Sequence, residues 1–80
     1  MKNVAKLYIW FVGAEKRETY KIEKRDGFDV CSDLVTDGMN EGWLDFSDIN
    51  GFRVVINMDD ISQISYEEEY EEEEETEEEN

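Results

Sequence analysis

The last fourteen residues, 67–80, hold eleven glutamates, one aromatic side chain (Tyr70) and no base. Such a run cannot build a packed core, because it has almost no apolar surface to bury against the entropy of ordering it. Folding is thereby confined to residues 1–66, a compact β-rich domain, and 67–80 are expected to form a disordered acidic tail. A domain of about 60 residues buries only about 60% of its unfolded surface, so its stability rests on few contacts. Dimerisation is one further way to add core, and a homodimer stays open.

Charge is graded along the chain. Of 23 acids and 8 bases in all, the tail takes eleven acids. Residues 1–25 carry seven bases against Glu15, Glu18 and Glu23, whereas residues 26–66 carry nine acids against Arg53 alone. A sign asymmetry of this kind bears on association and solubility rather than on fold.

Residues 7–12 read LYIWFV, an aromatic and β-branched run that predicts a strand buried on both faces. Residues 19–24 alternate, with Tyr20 and Ile22 apolar, and predict a half-exposed second strand paired to the first. The stretch 28–42 is ambiguous. A short strand and loop is the favoured reading, and a short helix capped by Ser32 is the alternative. Trp43, Leu44 and Phe46 form the next strand, with both tryptophans expected in the core. Asn50-Gly51 signals a two-residue hairpin turn, followed by an apolar row at Phe52, Val54, Ile56 and Met58. Ile61, Ile64 and Tyr66 begin a last short strand or turn. The expected fold is mainly β: a small antiparallel sheet, or an SH3-like or Sm-like barrel, of four to five strands with room for one short helix.

Catalysis is poorly served by these residues. The chain has no histidine, so the usual base near neutral pH is missing. Ser32, Ser47, Ser62 and Ser65 therefore lack an activating partner, and no glycine-rich phosphate loop is present. Cys31 is the only cysteine and reads as a small buried hydrophobe. The segment from Asp45 to Gly51 superficially resembles a calcium loop, but its fifth and sixth positions are Ile49 and Asn50, and the register fails. No enzyme, metal site or cofactor is expected. The longest apolar run is too short to span a membrane and no secretory signal pattern opens the chain, so a cytoplasmic location is expected.

Lys16, Arg17, Lys21, Lys24 and Arg25 lie around one hairpin near Tyr20 and form a candidate basic face. A net charge of −15 opposes phosphate binding there, and direct nucleic-acid contact is not expected. The acids are the better recognition element. Asp29, Asp33, Asp37, Glu41, Asp45 and Asp48 recur every few residues, Asp59 and Asp60 follow, and Glu67, Glu68, Glu69, Glu71 and Glu72 open the run. An extended chain rises about 3.3 Å per residue, close to the roughly 3.4 Å per phosphate along one DNA strand. These carboxylates are the candidate partner-binding residues, fitted to a Lys/Arg groove that normally grips DNA.

In size, charge and layout the chain resembles the small acidic DNA-mimic proteins that bacteriophages make to disable host DNA-binding proteins. The closest likeness is to the phage inhibitor type directed at the nucleoid-associated protein HU. The resemblance is carried by the glutamates of 67–79 and the aspartates of 26–60; the basic hairpin departs from it. It implies competitive occlusion of a basic host protein, with HU the first candidate partner and its dimeric symmetry matched by a dimeric inhibitor. Two other classes stay open. One is a small barrel-like protein-interaction module with a passive solubilising tail. The other is a domain that handles basic proteins generally.

Overall fold

The computed structural model describes residues 2–24 and 28–72, with the backbone alone at 2, 3 and 69–72. Along the chain stand β1 (Lys2–Phe11), β2 (Glu18–Glu23), α1 (Val30–Glu41), β3 (Trp43–Ser47), β4 (Arg53–Asn57), a 3-10 turn at Met58–Asp60, and β5 (Ile61–Glu72). They make one three-stranded antiparallel sheet in the order β2-β1-β5 and one two-stranded sheet, β3-β4. The mainly β expectation holds, with one short helix. The two sheets do not close, so the SH3-like or Sm-like barrel is not formed.

β1 is the middle strand because it alone offers both edges to long partners. Its pleat sends Ala5, Leu7 and Ile9 into the core, fully buried, while Lys6, Tyr8 and Trp10 on the other face are half-buried. A strand buried on both faces was expected from the apolar run. Val4 is buried on the second face, but from Ala5 to Trp10 what forms is one-sided, because the helix and the β3-β4 hairpin cover one face. The second face is aromatic without being core. Val12, the last residue of the run, lies outside the strand and is exposed.

The stretch 28–42 is not a strand and loop. It forms α1, whose inward residues Cys31, Leu34, Val35 and Gly38 stand at the i, i+3, i+4, i+7 spacing of one helix face. Two of those four are small, which thinned the signal. The helix ends at Gly42, whose φ of 97° is the left-handed conformation; its N–H donates to the Gly38 carbonyl at 2.7 Å. β3 starts at the next residue.

β3 and β4 pair from Trp43 opposite Asn57 to Ser47 opposite Arg53. The expected two-residue turn at Asn50-Gly51 is instead a longer loop. The Asp48 carboxylate accepts hydrogen bonds from the amides of Asn50 (2.9 Å) and Phe52 (3.0 Å), which folds the chain around it. Leu44 and Ile56 point into the core beside Leu7 and Ile9, whereas Phe52 is exposed. The hairpin loop is tied to the sheet edge by the Ile49 N–H donating to the Lys21 carbonyl at 2.8 Å. Tyr20 meets Phe46 edge-on, with ring centroids 5.6 Å apart.

The largest departure from expectation is at the acidic end. β5 does not stop at Tyr66 but runs to Glu72, paired with β1 down to Lys2 opposite Glu72. The boundary of the expected tail therefore moves: 67–72 belong to the sheet, and 73–80 lie outside the described residues. Strand pairing uses backbone groups, so a glutamate-rich stretch can take it when a partner edge is offered and its charge is met. The register sets Lys6 opposite Glu67. Two bulges let the strand follow β1, one where Glu68 and Glu69 together face Ala5 and one at Ser62.

Gly38 is where the helix comes closest to the hairpin. A methyl group there would stand 2.5 Å from Leu44 Cδ2 and 3.2 Å from the Trp43 carbonyl oxygen. Leu44 is fully buried and has nowhere to swing. Gly38→Ala gains up to about 1 kcal/mol of helix propensity but overpacks the contact at about 1–3 kcal/mol. We expect a net loss of roughly 1–2 kcal/mol, read as a lower urea midpoint with unchanged slope.

Candidate functional site

The thirteen expected partner-binding acids fall into three groups. Five are engaged inside the molecule, Asp29 among them through its ion pair with Lys24. Asp45 holds Arg53 with two bonds, Nε to Oδ1 at 3.0 Å and Nη2 to Oδ2 at 2.7 Å, across the exposed face of the hairpin. That bidentate bond, more than the bare charge, lowers the Asp45 pKa and raises that of Arg53. Asp48 folds its own loop. Glu67 accepts the Tyr8 hydroxyl at 2.5 Å on the outward face of the sheet. Glu68 has the most demanding role.

Alternation from Tyr66 turns the Glu68 side chain to the inner face of the sheet, below the start of α1. Its Oε1 accepts the Cys31 N–H at 3.0 Å and its Oε2 the Ser32 N–H at 2.6 Å. Those are two of the amides that every helix leaves unsatisfied at its N-terminus, where the helix dipole also favours negative charge. The local cap residue, Asp29, makes no side-chain capping bond. It instead pairs with Lys24 at 3.8 Å; that lysine also donates to the Phe28 carbonyl, and its side chain is only 6% exposed. No local reading could have found Glu68, because its bonds span 36 and 37 residues of sequence.

The second group is available to a partner. Asp33, Asp37 and Glu41 are exposed on α1, and with Asp29 before them they recur every fourth residue. Four residues of helix rise about 6 Å and turn slightly past one revolution, so the carboxylates form a single slowly winding row. No base among the described residues pairs with Asp33, Asp37 or Glu41. Asp59 and Asp60, also exposed, follow Met58, whose N–H donates to the Gly42 carbonyl at 2.9 Å. They therefore sit beside the C-terminal end of the same helix. The third group, Glu69, Glu71 and Glu72, continues β5, and nothing further is described of their side chains.

The bases lie elsewhere, and of the five expected around Tyr20, Arg17 and Lys21 share one face. Tyr20 faces inward, and Lys24 is turned to the helix start. The basic face is the outward side of the three-stranded sheet, where Lys6 and Lys21 are direct neighbours. There the Arg17 guanidinium lies 4.2 Å from the Tyr8 ring centre and 5.9 Å from that of Trp10. Arg25 is outside the described residues. Lys6, Lys21 and Arg17 thus lie in the sheet layer together with Glu67, whereas Asp33, Asp37 and Glu41 lie on the helix. Trp43, expected in the core, is 52% exposed beside Val55, 58% exposed, on the outward face of the hairpin.

Among the described residues no group of three or more acids, cysteines or histidines is placed to hold a metal ion. Among those residues, too, no helix is long and apolar enough to cross a membrane. Cys31 is buried, as expected, with its Sγ 3.8 Å from the Lys6 carbonyl oxygen. Burial first, then the Glu68 charge, pushes its thiol up to about 12. No family model, curated protein or solved structure matches this chain.

Two measurements check this arrangement. Glu68→Ala strips the helix start of its acceptor and should cost about 1–2 kcal/mol, with Glu68→Gln costing less. For a domain of this size the alanine variant should melt lower by on the order of 5–10 °C. The thiol gives a pH dependence with a definite sign. An unfolded cysteine ionises near about 8.5, so above that pH the unfolded chain sheds a proton that the folded chain keeps. Stability from this group is complete below about pH 8.5 and is lost as pH rises toward 12. Denaturant melts at pH 8 and pH 10 should show a steeper alkaline loss in the parent than in Cys31→Ala.

Proposed function

We propose that this chain is an acidic mimic of the DNA backbone that occupies the Lys/Arg surface of a bacterial DNA-binding protein in the cytoplasm, with HU the first partner to test. The observation that carries this reading is the carboxylate row Asp33, Asp37 and Glu41, held on a helix packed to the core and, among the described residues, without an opposing base. A row on a rigid helix fits a partner whose cations stand on a rigid surface, because neither backbone has to be ordered on binding. The glutamates of 69–80 add long-range attraction and a faster encounter. The Arg17, Lys6 and Lys21 face belongs to the other layer and need not meet the target.

A second reading has one observation in its favour. Trp43 and Val55, side by side on the hairpin, offer an apolar patch suited to a protein partner that ignores the acids.

The fold dictates how the readings are separated. Removing 67–80 entire would take half of β5 and the Glu68 carboxylate with it, so loss of binding would report unfolding. The informative truncation ends at Glu72. Binding to purified HU, in competition with duplex DNA, is compared for the full chain, the 1–72 form and an Asp33→Asn/Asp37→Asn/Glu41→Gln variant between 50 and 200 mM salt, a range over which contacts of this kind weaken steeply. We expect the triple variant to bind about tenfold or more weakly, with a shallower salt slope, while melting near the parent. Binding that ignores duplex DNA and salt but is lost in Trp43→Ser would replace this reading with the second.

A further inference from the structure

Alongside the acidic row runs a groove. One hollow of about 290 Å³ lies between α1, β2 and β3, and a second of about 310 Å³ shares its Ile22, Val30 and Phe46 walls. Leu34 completes the apolar floor and Phe28, 55% exposed, forms a lip. Asp33 and Asp37 rim the groove on the helix side; Glu23 and Asp48 stand at the far end. Among the described residues, every lining residue but Ser47 is apolar or acidic, and none is basic.

Helical geometry explains the juxtaposition. Asp33 and Leu34 stand three and four residues after Val30, and Asp37 stands four and three after them in turn, so apolar and acidic side chains share one flank of α1. The hollows are at the small end of ligand pockets, about 300–1,000 Å³, and they are open to solvent. Such a shape suits one or two side chains delivered by a chain segment. Charge complementarity fixes the character of that segment: an apolar residue between lysines or arginines. A second copy of this chain is disfavoured, since each copy carries a net −15.

We infer that this groove seats an apolar anchor side chain of a basic segment of the partner, with Asp33 and Asp37 pairing the flanking cations. The inference deepens the proposed function and rests on its reading that the partner is basic. It assigns different parts of binding to different residues. The carboxylates set orientation and approach, while the buried anchor sets residence time.

The test uses two blocked synthetic hexapeptides of equal charge, two leucines between pairs of lysines and the same with serines, titrated into the full chain and followed by amide NMR. The leucine peptide should bind about tenfold or more tightly than the serine peptide. It should also shift the amides of Ile22, Val30, Leu34 and Phe46. Phe28→Ser, at an exposed site outside the core cluster, should erase most of that preference while leaving the serine peptide unchanged. Asp33→Asn/Asp37→Asn should weaken both peptides alike. Equal affinities, or shifts centred on Trp43 and Val55, would overturn the inference. So would groove shifts that follow protein concentration instead of peptide, since they would mark a second copy as the occupant. Failure of HU to bind while the leucine preference survives would remove the named partner and leave the groove; the reverse would remove the groove alone.

Discussion

The carboxylate of Glu68 on the first amides of α1 is the contact on which the two layers depend. A helix of twelve residues is at the lower limit of what forms alone in water. This one carries acid in its last turn, where the dipole is unfavourable to it, and no base there. Its own cap residue makes no capping bond. What holds it is a packed face of Cys31, Leu34, Val35 and Gly38 and a charge supplied from a neighbouring strand. Because Glu68 also faces Cys31, the same carboxylate that orders the helix start adds to burial, the larger cause, in keeping the thiol protonated. An acid that composition assigns to a tail is a structural member of the core's edge.

Counting acids was informative, but the count could not say which of them are free. Asp45 and Asp48 look alike in sequence to Asp33 and Asp37. One is neutralised by Arg53 two strand positions from its direct partner, and the other is consumed by its loop. The difference is visible only once register and turn geometry are known. The free set is smaller than the composition implies and better ordered, since helix periodicity turns spaced acids into a row. The bases follow the same logic. They surround Tyr20 in sequence, but pleating puts Tyr20 inside and brings Arg17 over Tyr8 and Trp10.

Much of the β framework was legible. Period-2 alternation marked β2 and the inward residues Val54 and Ile56 of β4, and the apolar run located β1. The helix was not legible, for physical reasons. Its inward face uses Cys31 and Gly38, which contribute little hydrophobic contrast, and its cap lies too far along the chain for any local window. The extension of β5 was hidden because glutamate disfavours strands as a side chain, whereas the ladder with β1 is made by the backbone. In the candidate site, the four-residue recurrence of Asp29, Asp33, Asp37 and Glu41 was present in the sequence. Its meaning required the helix that the sequence had obscured.

The pairing of the first strand with the last has a consequence for how the molecule is born. A ribosome releases β1, β2, the helix segment and the hairpin before it has made Glu68. Until then β1 has a bare edge beside Leu7 and Ile9, and the helix start has unbonded amides. The native topology is closed by the final strand across a long loop, an arrangement that slows folding because its contacts are distant in sequence. A nascent chain with an open apolar edge is prone to pair with its neighbours. Glutamates delivered with the closing strand repel other copies during the interval in which that strand is made but not yet paired.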